Sequence, residues 1–177
     1  MGDSAAAPAE FSRSIDVRQV KGKHMVLTAN EAERAALSAR FGLVRVDRLE
    51  AHVTLHRDDR NVTAEGSLSA DITQSCAVSA EDLAVEINEP LHLRFIPAGT
   101  APVSEDEIEI DSAETDEIEY VGTHIDVGEA VAQTLALAID PFLTGPDADE
   151  ARRAAGLLGE SQAGPFAALA ALKKHGD

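Results

Sequence analysis

Few side chains in this 177-residue chain are of types that do chemistry, and their spacing argues against most of it. His52 and His56 stand four apart, a spacing that puts two imidazoles within reach of one metal ion only on a helix. They lie instead in an alternating segment that reads as a strand. There, four residues span about 13 Å at ~3.3 Å per residue, so the pair does not share an ion. Cys76 is the single cysteine, which excludes an intramolecular disulfide and a cage of thiolates around zinc. As a nucleophile it would need a general base and an oxyanion site, and neither it nor Ser75 beside it has a sequence signal for either. The clustered carboxylates include no twelve-residue loop with glycine at its sixth position, and no glycine-rich phosphate loop occurs. The chain therefore reads as non-catalytic, with no cofactor and no metal; a Cys76-dependent enzyme is the weakest alternative.

Charge is the more informative property. The formal net charge is -17, and its distribution is uneven. From Phe95 to Ala151 there is no Lys or Arg against fifteen acids, which leaves seventeen acids facing all fifteen basic residues in the rest of the chain. An acidic segment is thus joined to a nearly neutral body. Such a field repels phosphate backbones, so contact with RNA would need a local basic patch. Only 3% of residues are aromatic and Trp is absent, so stacking platforms for single-stranded nucleic acid are scarce. The N-terminus lacks a basic stretch followed by an apolar core and no apolar run approaches the ~18 residues of a membrane span, so the chain reads as cytoplasmic, without a membrane partner.

The elements that must carry these residues follow from periodicity. Residues 1–10 read as a disordered Ala/Pro tail, and 11–97 as a strand-rich part with one helix. The alternation of Phe11, Ile15 and Val17 predicts a strand over Phe11 to Val20. The run EAERAALSARFG predicts a helix capped by Thr28 or Asn30 and closed by Gly42. Two long alternating segments, Leu43 to His56 and Val62 to Thr73, are joined by the polar RDDRN and predict a hairpin. Short strands are expected over Leu83 to Ile87 and Leu91 to Ile96, separated by Asn-Glu-Pro. Residues 98–121 then read as a mobile acidic linker: nine of the sixteen residues from Ser104 to Glu119 are acidic, with Ile108, Ile110 and Ile118 as isolated apolar positions suited to a sheet edge or a partner.

Residues 122–177 read as a C-terminal helical part of the same domain. Asp126 followed by Glu129 has the capping-box spacing, and Val127, Val131, Leu135 and Ile139 recur every four residues until Pro141 ends the helix. A helix over Asp147 to Leu158 is expected, and GPFAALAALKK closes the chain as a short helix with Phe166, Leu169 and Leu172 along one apolar edge. The fold class expected is α+β: a curled antiparallel sheet covered by helices.

Three stretches in order carry a family resemblance: ADITQSCAVSAEDL after the hairpin, HIDVGEAVAQTLALAIDP after the acidic segment, and GPFAALAALKK at the end. Together they resemble the YceD-like family of large ribosomal RNA subunit accumulation proteins, from about Phe11 to Lys174. One position departs from the pattern. Many members carry Cys-x-x-Cys at the end of the hairpin, where this chain reads Thr73-Gln74-Ser75-Cys76, with serine in place of an arginine often found before the second cysteine.

The resemblance implies a role in synthesis, processing or stability of large-subunit ribosomal RNA, without an established catalytic activity. Charge narrows the expected means to a basic protein partner, such as a large-subunit ribosomal protein, with contact to ribosomal RNA indirect or weak. The residues expected to meet that partner are Glu105, Asp106, Glu107, Glu109, Asp126, Glu129 and Phe166. The alternative is an RNA-binding module using the basic N-terminal half, chiefly Arg45, Arg48, Arg57 and Arg60.

Overall fold

In the computed structural model, residues 10–99 and 116–156 are described. Three helices and seven strands are present among them. The described residues form two compact units, one of 10–74, 84–99 and 116–139, the other of 75–83 and 140–156.

The larger unit is built on a long hairpin. Strand β3 (Arg45–Asp58) pairs antiparallel with β4 (Asn61–Ser75), Asp58 facing Asn61 across the turn. Asp59 in that turn has φ 53°, a left-handed conformation that Asp adopts more readily than most residues with a Cβ. Strict alternation buries Leu49, Ala51, Val53 and Leu55 of β3 against Val62, Ala64, Leu68, Ala70 and Ile72 of β4. Strand β2 (Lys23–Thr28) flanks β3, and β5 (Asp82–Pro97) flanks β4.

The class is α+β, but the sheet is not the curled antiparallel one expected. It is an open sheet in the order β2-β3-β4-β5-β6, and its last pair is parallel: β6 (Asp116–Tyr120) runs alongside Leu93 to Pro97 of β5. β6 occupies the end of the segment read as a linker, so that segment does not extend unstructured to residue 121. Ile118, expected to suit a sheet edge, sits opposite Phe95 on one.

Two further expectations are corrected. The separate strands on either side of Asn88-Glu89-Pro90 are one 16-residue strand, β5. β6 begins its pairing only at Leu93, so among the described residues a single strand lies alongside Pro90 and the missing N–H is not required on the other flank. The strand expected over Phe11 to Val20 shrinks to β1 (Ser14–Asp16), followed by a 3-10 turn over Val17–Gln19 that Asp16 caps by accepting from the Arg18 N–H at 2.9 Å. Phe11, Ile15 and Val17 are nevertheless buried. β1 pairs antiparallel with β7 (His124–Asp126) in a separate two-stranded sheet.

Helix α1 (Glu31–Phe41) follows its sequence signals closely. Asn30 accepts from the Glu33 N–H at 3.0 Å while Glu33 Oε2 accepts from the Asn30 N–H at 2.8 Å, a complete capping box. Gly42 ends the helix at φ 67°, its N–H donating to the Ser38 carbonyl, a conformation costly for residues with a Cβ. Leu37 carries α1 into the core. Helix α2 (Val127–Ala138) contributes Val127, Ala130, Val131, Ala132 and Leu135 to the same core and ends at Ile139, ahead of Pro141.

The smaller unit joins residues 75–83 to the chain after α2, including helix α3 (Ala148–Ala154), which is shorter than the expected Asp147 to Leu158. Ala77 N–H donates to the Leu143 carbonyl at 2.9 Å, and Cys76 N–H to the Glu81 carbonyl at 2.7 Å. Among the described residues no helix is long and apolar enough to cross a membrane.

Candidate partner-binding surface

Two of the expected partner residues, Asp126 and Glu129, stand at the start of α2, and the fold gives both an internal role. Asp126 accepts from the Glu129 N–H at 3.1 Å, capping the helix as its spacing predicts. Its carboxylate also takes the Arg13 N–H at 2.7 Å and the Ser12 hydroxyl, tying the entering chain to the helix. Glu129 departs from the expected capping box. It binds both terminal nitrogens of Arg40 on α1, at 2.8 and 2.9 Å, a bidentate charge-assisted pair, and accepts from Gln133 Nε2 at 3.1 Å. The Arg40 hydrogen bond holds the Glu129 carboxyl below its usual range, against the opposing effect of desolvation.

A parallel link ties Arg13 to Glu33, again through two hydrogen bonds, at 2.6 and 3.0 Å, and lowers the pKa of Glu33. Arg13 also stacks over the Phe11 ring, 4.5 Å from its centroid. Sequence reading singled out the acids of α2 but did not find these two arginine partners. Nothing in local spacing signals a pair separated by 89 positions; only packing of α1 against the chain around α2 brings Arg40 to Glu129.

The arginines of the RNA alternative do not form one face. Arg45 is held by Asp47 at 2.8 Å, and Arg48 by Asp71 at 2.7 Å and by the Ser69 hydroxyl. Arg57 and Arg60 lie at the hairpin tip, some 12 residues along β3, or about 40 Å away at ~3.3 Å per residue. There the Arg57 guanidinium donates to the Asp59 carbonyl at 2.6 Å. A surface hollow of about 440 Å³ at that tip is lined by Arg18, Lys21, His56 and Arg57 together with Asp59.

Cys76 belongs to the smaller unit. It is buried, and Sγ accepts from the backbone N–H of Val78, Ser79 and Gly145 at 3.4, 3.3 and 3.3 Å. The Ser79 hydroxyl and these amides bring its pKa down to about 7, against desolvation. Sγ is thus held by a hydroxyl and backbone amides. This arrangement organises a turn. Nearby, Asp147 N–H donates to Glu81 at 3.2 Å, and the Glu81 charge raises the pKa of Asp147. His52 bonds Glu50 at 2.9 Å and stacks on His24, with ring centroids 6.3 Å apart.

Glu105, Asp106, Glu107, Glu109 and Phe166 lie outside the described residues. The acids adjoining that segment are described, on β6. Asp116, Glu117 and Glu119 are exposed, and the cation paired with this group is Arg94, which reaches Glu117 at 3.2 Å. The alternation Glu117-Ile118-Glu119-Tyr120 is the strand signal that acid density masked: Tyr120 is buried and donates its hydroxyl to the Arg60 carbonyl at 2.6 Å.

Comparison with known proteins bears on the same region. No curated protein and no solved structure matches the chain. A family model described as large ribosomal RNA subunit accumulation protein YceD matches residues 64–173, which includes β5, β6, both later helices and the acidic segment between them. With more than half of its length covered by that match, the chain belongs to the YceD family of large ribosomal RNA subunit accumulation proteins.

Proposed function

We propose that this chain supports the accumulation of large-subunit ribosomal RNA without catalysis, by holding a basic protein partner such as a large-subunit ribosomal protein. The observation that carries this reading is which charges remain after internal pairing. Arg13, Arg40, Arg45 and Arg48 are each bonded to carboxylates of the chain itself, whereas Asp116 and Glu119 on β6 are exposed, next in sequence to the acids from Glu105 to Glu114. Where these arginines are matched internally and the surplus is negative, the field favours encounter with a basic protein over a phosphate backbone.

The test converts Glu105, Asp106, Glu107 and Glu109 to their amides, a change of charge with little change of shape. The expected variant stays folded and associates more slowly with basic large-subunit proteins at low salt. It also supports less large-subunit RNA in a complementation assay. Undiminished binding and complementation would leave the acids as a solubilising segment. A second reading, contact with RNA at the hairpin tip, is favoured by the hollow lined by Arg18, Lys21 and Arg57. It predicts RNA affinity that falls steeply with salt and is lost in Lys21→Glu/Arg57→Glu.

A further inference from the structure

β6 is the last strand of its sheet among the described residues, and it presents both kinds of group that an added strand needs. The Ala98 N–H donates to the Tyr120 carbonyl at 2.9 Å, which fixes the backbone of Tyr120 toward β5. By the two-residue period of a strand, Ile118 and Asp116 face the same way, and the N–H and C=O of Glu117 and Glu119 point away from β5, toward the open flank. Such a row of peptide groups is a template for another extended chain.

Beside this flank two hollows adjoin α2, the first walled mainly by β5 with Asp116 of β6, the second by β6 itself. One, of about 470 Å³, is lined by Glu89, Pro90, His92, Asp116, Thr134 and Leu137 among others. The other, of about 220 Å³, includes Ile118, Tyr120 and Gln133. Their linings together hold five carboxylates and no Lys or Arg; Asp126 and Glu129 are bonded internally, and Glu89, Asp116 and Glu119 are exposed. Leu137, 81% exposed, is an apolar side chain on the last turn of a helix that otherwise buries its leucine and valines.

We infer that the edge of β6 left unpaired among the described residues and the groove beside α2 receive an extended, lysine- or arginine-rich segment of a partner protein, added as a sixth strand with an apolar residue on Leu137. This rests on the proposed function and names the surface that performs it. Charge selects the occupant. A second copy of this chain would set Asp116, Glu117 and Glu119 against acids of the same sign, which is unfavourable across paired strands, and RNA meets the same repulsion. A basic strand satisfies the outward peptide groups and the carboxylates at once, as in recognition by strand addition.

The test uses the full chain and a synthetic peptide of alternating lysine and valine. Titration of the peptide should slow amide hydrogen exchange at Glu117 and Glu119, and an analogue N-methylated at alternate residues should fail to do so. Glu89→Gln/Asp116→Asn/Glu119→Gln should weaken binding about tenfold at low salt, since each exposed pair contributes only a few tenths to about 1 kcal/mol. Leu137→Ser, at an exposed site that cannot disturb the core, should weaken it about threefold to fivefold. Binding that leaves those amides unprotected and is indifferent to these variants, but is lost in the Glu105, Asp106, Glu107 and Glu109 amide variant, overturns this surface while leaving the proposed function standing. Failure of this peptide and of every basic ribosomal protein to bind overturns both. Protection of the β6 edge by self-association without peptide would identify a second copy as the occupant and overturn the inference.

Discussion

The strand β6 and the start of α2 are separated by six residues in a stretch with no Lys or Arg, yet they use their acids in opposite ways. At α2, Asp126 and Glu129 are bonded to the helix backbone, to the Arg13 N–H and to the Arg40 guanidinium. On β6, Asp116, Glu117 and Glu119 are exposed, with Arg94 as the nearby cation paired to Glu117. The difference teaches that local charge density does not decide whether an acid is structural or available. What decides is whether a cation from a distant part of the chain is folded against it.

The largest way to break this contrast is Gly128→Ala. A Cβ there would stand 2.3 Å from the Phe11 carbonyl oxygen and 2.8 Å from the Arg13 nitrogen, both backbone atoms that cannot swing aside. The segment carrying Arg13 would have to leave α2, and a loss of about 3 kcal/mol or more is expected in chemical denaturation. Next comes Asp126→Ala. It removes the cap and the acceptor for Ser12 and the Arg13 N–H, for a loss of about 2 kcal/mol, of which Asp126→Asn should restore part.

Glu129→Gln should cost about 1 kcal/mol, because the Arg40 pair is partly exposed and its strength is reduced by solvent. Its pH signature has a definite sign. Glu33 and Glu129 have folded pKa values below the ordinary 4.5, so their stabilisation is complete above that value and is lost as pH falls through the lowered ones. Stability followed by urea unfolding should therefore fall with acidification below about pH 4.5, less steeply in Glu33→Gln/Glu129→Gln. The smallest effect is expected on β6: Asp116→Asn/Glu119→Gln should change stability by no more than about 0.5 kcal/mol, with the relief of repulsion tending to stabilise. A large loss there would show that the β6 acids, like those of α2, are structural.

Much of this was legible in the sequence where the deciding interactions are local. The cap at Asn30, the stop at Gly42, the hairpin turn and the cap at Asp126 each involve residues within four positions of one another, so residue type and spacing sufficed. The family resemblance was legible too, because it rests on the order of such local segments, and the match over residues 64–173 bears it out. β6 was missed for a physical reason. An isolated five-residue acidic run has no neighbour to pair with; it becomes a strand because Leu93 to Pro97 of β5 supply a partner edge and Tyr120 reaches the Arg60 carbonyl.

The sequence by itself determined the surplus of negative charge, its concentration after Phe95, the α+β class and the ends of its two main helices. Those properties are sums over residues or contacts along one turn. Tertiary structure decided which acids remain outward, that the last strand pair is parallel, and that the Gly145 amide reaches Cys76. Each of these depends on groups far apart in the chain, and only the burial of a shared core or the pairing of distant backbone fixes their meeting.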